Sequence, residues 1–440
     1  MSRAKTIAVI GSGVAGISAV WHLDPSIKVI FYEINSRLGG HTHTHTIEIE
    51  DEKISVDSGF IVFNKPNYPN FIKWLEILKV EWARSNMSFS FSLDNGSFEW
   101  SGKSLSSVFA QKSNFFSLKF YNMLFEINKF NKLGIQLFHN PSAIKNLTIE
   151  QFLKTNKFGD YFIERYLYPM ASSIWSSPQK KITNFPAVSL ITFFYNHGLL
   201  RLTNHFDWYS IKGGSNKYID KFLESMLQKK RNFNLKLNHE VKKINFAQNG
   251  KNNYQINIAG LKKDEDTTFE TTVDGVILAC HSNDSSKIIF EEHPSQKLLK
   301  KINFQENVAT LHLDTSLMPK IKNVWSAWNY NSLHNFESCS DLPVVSYWMN
   351  TLQDLQTSQN IFVTLNSENN IRKDLVIKSM KYEHPLFDID SKIAQSNFKN
   401  VQGIKNIWFA GAWLGHGFHE DGFISGKSAA VEVNNKFVTG

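Results

Sequence analysis

A short apolar run, Thr6-Ile-Ala-Val-Ile10, passes directly into Gly11-x-Gly13-x-x-Gly16, and few folds accept that order of residues. Consecutive apolar residues of this kind suit a strand buried on both faces. The glycines then divide three tasks. Gly11 permits a tight turn, Gly13 lets backbone approach a pyrophosphate, and Gly16 lets the next helix pack on the strand. That helix is predicted over Val14 to Leu23, with its amino-terminal N–H groups facing the phosphates. A second apolar run starts at Lys28 and ends in Glu33, twenty residues beyond Gly13. An acid there accepts hydrogen bonds from a ribose and repels a 2′-phosphate, which suits NAD or FAD rather than NADP.

A chain of 440 residues, 42% hydrophobic and 20% charged, has material for two or three units with their own cores. No uninterrupted apolar run approaches bilayer length, so no transmembrane helix is expected. The first strand begins at Thr6, which leaves no room for a signal peptide, and a cytoplasmic location is expected. Cys280 and Cys339 form no CxxC pair, and no disulfide framework is expected. The net charge of +8 is not gathered into a dense Lys/Arg block, which argues against nucleic acid and leaves weak attraction to anionic lipid open.

After Glu33 the chain reads Ile34-Asn-Ser-Arg37-Leu-Gly39-Gly40-His41. The pattern Glu-x-x-x-Arg-x-Gly-Gly resembles the second signature of the flavin-containing amine oxidoreductase superfamily, which also holds carotenoid desaturases and protoporphyrinogen oxidases. The resemblance implies FAD rather than NAD, with Arg37, Gly39 and Gly40 running along the pyrophosphate toward the flavin. It also adds Val14, Ala15, His41 and Val241 to the implied cofactor-binding residues.

A narrower resemblance rests on GGHTHT followed by VDSGFIVFNKPNYPNF, on Tyr168-Pro-Met170 with Ser173 to Pro178, on Asn196-His197-Gly198, on Lys212-Gly-Gly-Ser215 and on Gly417 to Gly422. These look like a subfamily of predicted NAD/FAD-binding proteins found beside, or fused to, cyclopropane fatty acid synthase-like methyltransferases. Such a methyltransferase is therefore an implied partner. The fold class that follows is α/β, a Rossmann-type FAD-binding domain of amine oxidase-like, two-domain form, interleaved with an α+β substrate domain. Residues 1–75, 207–289 and 401–440 are assigned to the FAD domain, 76–206 to a helical substrate lobe and 290–400 to a substrate-domain sheet.

Other features carry competing readings. His41, His43 and His45 alternate, which on an extended chain puts three imidazoles on one face. No cysteine or carboxylate stands at a metal-ligand spacing beside them, so the segment reads as a strand beside the cofactor, with no metal. From about Leu75 to His205 the periodicity is mainly helical, and Phe109, Phe115, Phe116, Phe120, Phe125 and Phe130 recur among Lys and Asn. Such a stripe reads as the core face of a helical lobe, with a membrane-surface helix as the alternative. A helix is predicted over Lys217 to Lys229, then two strands, Asn238 to Phe246 and Asn253 to Ile258, joined through Asn249-Gly250. Cys280 ends an apolar strand and reads as a small buried residue rather than a nucleophile. Trp325, Trp328, Tyr347 and Trp348 read as an aromatic wall or as core.

The chain closes with the buried strand before Gly411, then Gly415-His416-Gly417-Phe418-His419-Glu420-Asp421-Gly422. Asp421 is expected to cap a last helix carrying Gly422, Ser425 and Gly426. A helix amino terminus stabilises negative charge on a reduced flavin, and the resemblance assigns Gly411, Asp421, Gly422 and Gly426 to that role. His416, His419 and Glu420 are the candidates for acid/base work, because removal of a hydride leaves a proton to be accepted. No lysine is recognisable for the place that amine oxidases give one beside the flavin.

The function expected is therefore an FAD-dependent oxidoreductase that removes hydride from an aliphatic substrate, a fatty acyl chain of a lipid, with possible peripheral contact at a membrane. Rivals are a carotenoid-type desaturase or isomerase, an amine oxidase, and a non-catalytic flavoprotein partner of a lipid methyltransferase.

Overall fold

The computed structural model describes residues 3–144, 147–201, 206–248, 254–290, 292–332 and 342–439. The run Thr6–Ile10 forms the buried central strand of a five-stranded parallel sheet. Across it lie Phe233–Lys236, Lys28–Tyr32, Thr6–Ile10, Gly275–Leu278 and Ile407–Phe409, in that spatial order. Period-two geometry sends alternate residues to opposite faces. Ile7, Val9 and Phe31 pack on the first helix, Val14–His22, and on the last, His419–Asn434. Ala8, Ile10, Ile30 and Tyr32 face Ile256 and Ile258 of an antiparallel three-stranded sheet. This sheet covers the other side.

That second sheet contains His239–Gln248 and Tyr254–Lys262, which pair antiparallel as the expected two strands do. The Asn249-Gly250 pair lies outside the described residues, as do Cys339 and His205. The helix predicted from Lys217 runs Lys217–Gln228.

The substrate side is a seven-stranded sheet in the order Val376–Pro385, Phe304–His312, Phe362–Leu365, Val344–Trp348, Trp328–Asn331, Phe89–Leu93, Phe98–Ser101. Its largest cover is the helical lobe, dominated by the 22-residue helix Leu118–His139. Two expectations for residues 76–206 need correcting. Trp82–Ser85, Phe89–Leu93 and Phe98–Ser101 are strands, because Phe89-Ser-Phe91-Ser-Leu93 alternates with period two and packs its apolar members on the sheet core. The phenylalanine stripe is not one core face either: Phe120 and Phe130 are fully buried, whereas Phe115, Phe116 and Phe125 are exposed. The aromatic pairs Trp325–Trp348 and Trp328–Tyr347 meet edge-on, at 5.4 and 4.9 Å.

First and last helices touch through backbone. A Cβ built on Gly426 would lie 2.0 Å from the Ala15 carbonyl oxygen, and one on Gly422 would lie 2.7 Å from Val14 Cγ1. Gly426→Ala is therefore expected to cost about 1–3 kcal/mol by forcing the helices apart. Urea unfolding of the variant checks this, and an unchanged midpoint would mean that the two helices separate without cost.

Candidate active site at the carboxyl ends of the parallel strands

In open parallel sheets, ligands bind beyond the carboxyl ends of the strands. Here the glycine turn after Ile10 forms the floor of that region. Gly11 has φ +97°, and Gly16 lies so close that a Cβ would meet the Gly11 carbonyl oxygen at 1.9 Å. Gly13 differs. It has φ −63°, and a Cβ built on it meets nothing within 4 Å. It precedes a helix that carries no side-chain cap, so the first N–H groups, at Val14 and Ala15, are presented to an anion rather than closed by the chain.

The second signature lies alongside. Gly39 bridges Gly13, its N–H donates to the Ser12 carbonyl oxygen at 3.0 Å, and a Cβ on Gly40 would sit 3.3 Å from Gly13 Cα. Arg37 braces this loop by donating to the carbonyls of Leu38, Gly40 and Thr42. Glu33 is buried, and its Oε2 accepts from the N–H (3.0 Å) and Oγ (2.5 Å) of Ser12. Asn35 donates twice to its other oxygen. The acid expected at the ribose thus fixes the turn itself. Open space over Gly13, uncapped N–H groups and a second glycine loop fit a dinucleotide pyrophosphate. Val241 is buried on the sheet face shared with Tyr32, at a bulge in its strand.

The closing segment departs from expectation in detail. The last helix starts at His419, so Asp421 sits inside its first turn and accepts the Phe418 N–H at 3.0 Å from there, rather than preceding the helix as a cap. Gly411 donates its N–H to Ser425 Oγ at 2.9 Å. Gly422 and Gly426 face the first helix, where their missing side chains allow contact.

Two of the three acid/base candidates are engaged elsewhere. His419 stacks on Phe60 at 3.6 Å, and its Nε2 meets Thr42 Oγ1 at 3.0 Å and Tyr218 OH at 3.2 Å. Burial pushes its pKa down to about 3, so it is a neutral structural imidazole. Glu420 accepts the N–H groups of Asn70 and Phe71, both at 2.9 Å, and the Asn70 side chain at 2.8 Å. Its charge sits at the amino terminus of the helix Pro69–Leu78. His416 alone keeps an accessible ring, with Nδ1 3.8 Å from Asp421 Oδ1. It lines a cavity of about 110 Å³ with Asn67, Tyr68, Phe193, Asn196, His197, Phe418 and the carboxylates Glu420 and Asp421. Phe193 stacks there on both His197 (3.8 Å) and Phe418 (4.9 Å).

A histidine cluster completes the cleft. His41, His281 and His384 come from three distant segments, and the His41 ring lies 6.0 Å from His281, 5.4 Å from His384 and 5.0 Å from Tyr382. His41 Nε2 is enclosed and has no partner among the described residues. Burial, then the neighbouring His384 and His281, hold its pKa well below the usual imidazole range. Asn307 donates to Nδ1 of His384 at 3.0 Å, and Glu383 faces Nδ1 of His281 at 3.2 Å. Asp284 is near that pair but is already joined to Lys287 at 3.0 Å. His43 and His45 lie together, rings 4.0 Å apart, and both His41 and His43 meet Tyr382. His43 reaches Tyr382 OH, and His45 reaches Ser58, which also meets Tyr382 OH.

Burial explains two further residues. Cys280 has its thiol pushed up to about 12, as a buried, unreactive group. Asp57 accepts from Thr44, from the Ser215 backbone and hydroxyl, and from Gln353, which ties the Lys212-Gly-Gly-Ser215 motif to the strand after His41.

Residues 14–318 match the family described as flavin containing amine oxidoreductase. The chain is 33% identical over 69 residues to lysine-specific histone demethylase 1 of Schizosaccharomyces pombe, a match covering 12% of this chain and only 7% of that protein. Among solved structures it resembles a CLA-producing fatty acid isomerase from P. acnes, with TM-score 0.66, 13% identity and all of both chains covered. It also resembles cyclohexylamine oxidase from Brevibacterium oxydans, with TM-score 0.66, 12% identity and 99% of each chain covered. At these identities the structural likeness is one of fold.

Two outcomes are expected. Gly13→Val loses bound flavin while its urea midpoint stays that of the flavin-free wild type, whereas Gly16→Ala lowers the flavin-free midpoint itself; stoichiometric flavin in purified Gly13→Val would remove the pyrophosphate from this turn. The second concerns pH. His419 is neutral in the fold down to about 3, so the unfolded chain binds its proton first, and stability falls as pH drops below the ordinary imidazole value. The loss is up to about 1.4 kcal/mol per pH unit for this one buried group. His43 and His384, lowered to about 3 and about 4, act in the same direction. Unfolding free energies measured at neutral and at mildly acidic pH test this, and a flat profile would mean that these rings take up protons without unfolding.

Proposed function

The chain belongs to the flavin containing amine oxidoreductase family and is an FAD-dependent, amine oxidase-like oxidoreductase, and from that premise we propose that it removes hydride from an aliphatic, uncharged substrate, a fatty acyl chain of a lipid. The observation that carries the choice is the aromatic wall of the cleft, where Phe193 stacks on His197 and Phe418 beside the accessible ring of His416. Glu420 and Asp421 line the same cavity, each already accepting backbone N–H groups, so a cationic amine is the rival substrate that the experiment below has to exclude. The fold likeness to a fatty acid isomerase and the resemblance to proteins associated with cyclopropane fatty acid synthase-like methyltransferases support the acyl reading.

Bound FAD supplies the hydride acceptor. The chain supplies the rest. Gly13, Gly40 and the first helix would hold the pyrophosphate, and the first turn of the last helix directs its positive end toward the cleft. Loss of hydride from one carbon and of a proton from its neighbour leaves a C=C, and the proton needs a base at the substrate. His416, with an accessible ring beside the aromatic wall, is the group placed to take it.

The fatty acid isomerase likeness favours a second reading, in which hydride returns to a different carbon and no net oxidation occurs. Anaerobic spectra of the purified protein with lipid carrying unsaturated acyl chains separate the two. Bleaching of the longer-wavelength flavin band is the expected result. A shifted double bond with no lasting bleaching would establish isomerisation, and bleaching by amines but not by lipid would overturn the acyl substrate. His416→Gln is expected to lower kcat about 10²–10⁴-fold while flavin content stays unchanged.

A further inference from the structure

The phenylalanine stripe that the core does not absorb lies on three short, ordered pieces: the helices Leu105–Val108 and Lys112–Phe115, and the start of Leu118–His139. Exposures are extreme for such side chains: Leu105 79%, Phe115 56%, Phe116 84%, Leu118 85% and Phe125 66%. With aromatic residues of about 150–250 Å² each, the patch amounts to several hundred Å², more than a chain with no use for it normally leaves in water. It is also firmly held. Ser104 and Ser107 cap each other, Ser117 caps the long helix, and Asn114, itself buried, donates to the Glu99 carbonyl at 3.1 Å. Phe109 packs beneath, with rings 5.5 Å from Phe115 and 5.8 Å from Tyr121.

Charge decides what fits such a face. Residues 100–125 contain Lys103, Lys112 and Lys119 and no Asp or Glu. The adjoining turn Lys322–Val324 adds an exposed Lys322 and is fastened to the patch by Asn323, which donates to the Ser106 carbonyl at 3.0 Å. Glu126, the next acid along the chain, is buried and accepts the Gly159 N–H at 2.8 Å, while Asp160 and Glu164, with Arg165, border the recess beside Leu118 and Lys119 and bring acids to that one rim. Cores of protein–protein interfaces are depleted in Lys, whereas segments lying in a bilayer interface alternate Phe and Leu with Lys.

We propose that this face, from Leu105 to Phe125 with Lys322 at its rim, docks on an anionic lipid surface. The apolar side chains enter the headgroup boundary and the lysines meet the lipid phosphates. No helix among the described residues is long and apolar enough to cross a membrane, so the contact is one of lying on the surface. The inference rests on exposure and charge alone and stands apart from the choice of substrate.

Sedimentation of the full-length, flavin-loaded protein with vesicles tests it. Binding to phosphatidylcholine mixed with phosphatidylglycerol, weaker on phosphatidylcholine alone and reduced by salt, is expected. Each of Lys112→Gln and Lys119→Gln should weaken binding about five-fold. The double variant Phe116→Ser/Leu118→Ser should weaken it tenfold or more. Both changes are at exposed positions, so flavin content and urea midpoint should not move, which separates lost docking from lost fold. Equal sedimentation of wild type and variants, or none on anionic vesicles, would overturn the proposal. So would a dimer in solution that Phe116→Ser/Leu118→Ser dissolves, since the face would then belong to a second copy.

Discussion

Backbone meeting backbone governs this molecule. At Gly16 the first helix lies on the glycine turn with no room for a methyl group, and at Gly426 the last helix lies on the first in the same way. Those two contacts place the amino termini of two helices, 405 residues apart at Val14 and His419, at one end of one sheet. Everything chemical in the cleft is arranged around that end: the second glycine loop braced by Arg37, the carboxylate of Glu33 under the turn, and the histidines at the edge of the substrate domain. Larger residues at these positions would alter the spacing of the whole cleft and not merely its lining.

Local patterns revealed the nucleotide half because its geometry is local. A strand, three glycines and a helix lie within seventeen residues, Thr6 to His22, so their register is written in spacing. The same reasoning missed the strands at Phe89–Leu93 and Phe98–Ser101, where surrounding helical periodicity hid a short alternation that was present in the residues themselves. It also misjudged the phenylalanines, since one helical stripe can be buried at Phe120 and Phe130 and open at Phe116 and Phe125 when neighbouring chain covers only part of it.

Site residues divide along the same line. Gly11, Gly13, Gly16 and Glu33 are brought together at the turn, as their spacing implied, and beside them lie Gly39 and Gly40, which the family resemblance implied. His419 and Glu420 looked equally chemical in sequence, yet one is spent on a hydroxyl network and the other on the end of a distant helix. No sequence pattern distinguishes a free carboxylate from one that accepts Asn70 and Phe71. The cluster of His41, His281 and His384 had no local signal either, because three separate segments supply it. What results is a cleft in which burial holds the imidazoles of His41, His384 and His419 neutral, leaving Arg37 as the fixed positive charge beside His41.

The pairing of the first helix with the last has a consequence for synthesis. Gly16 leaves the ribosome far ahead of Gly426, and at about 5–20 residues per second the interval is on the order of 20–80 s. Throughout it the first strand and Val14 lack the closing helix that packs over them in the finished fold. A nascent chain must therefore keep this apolar strand from pairing wrongly until the closing segment arrives.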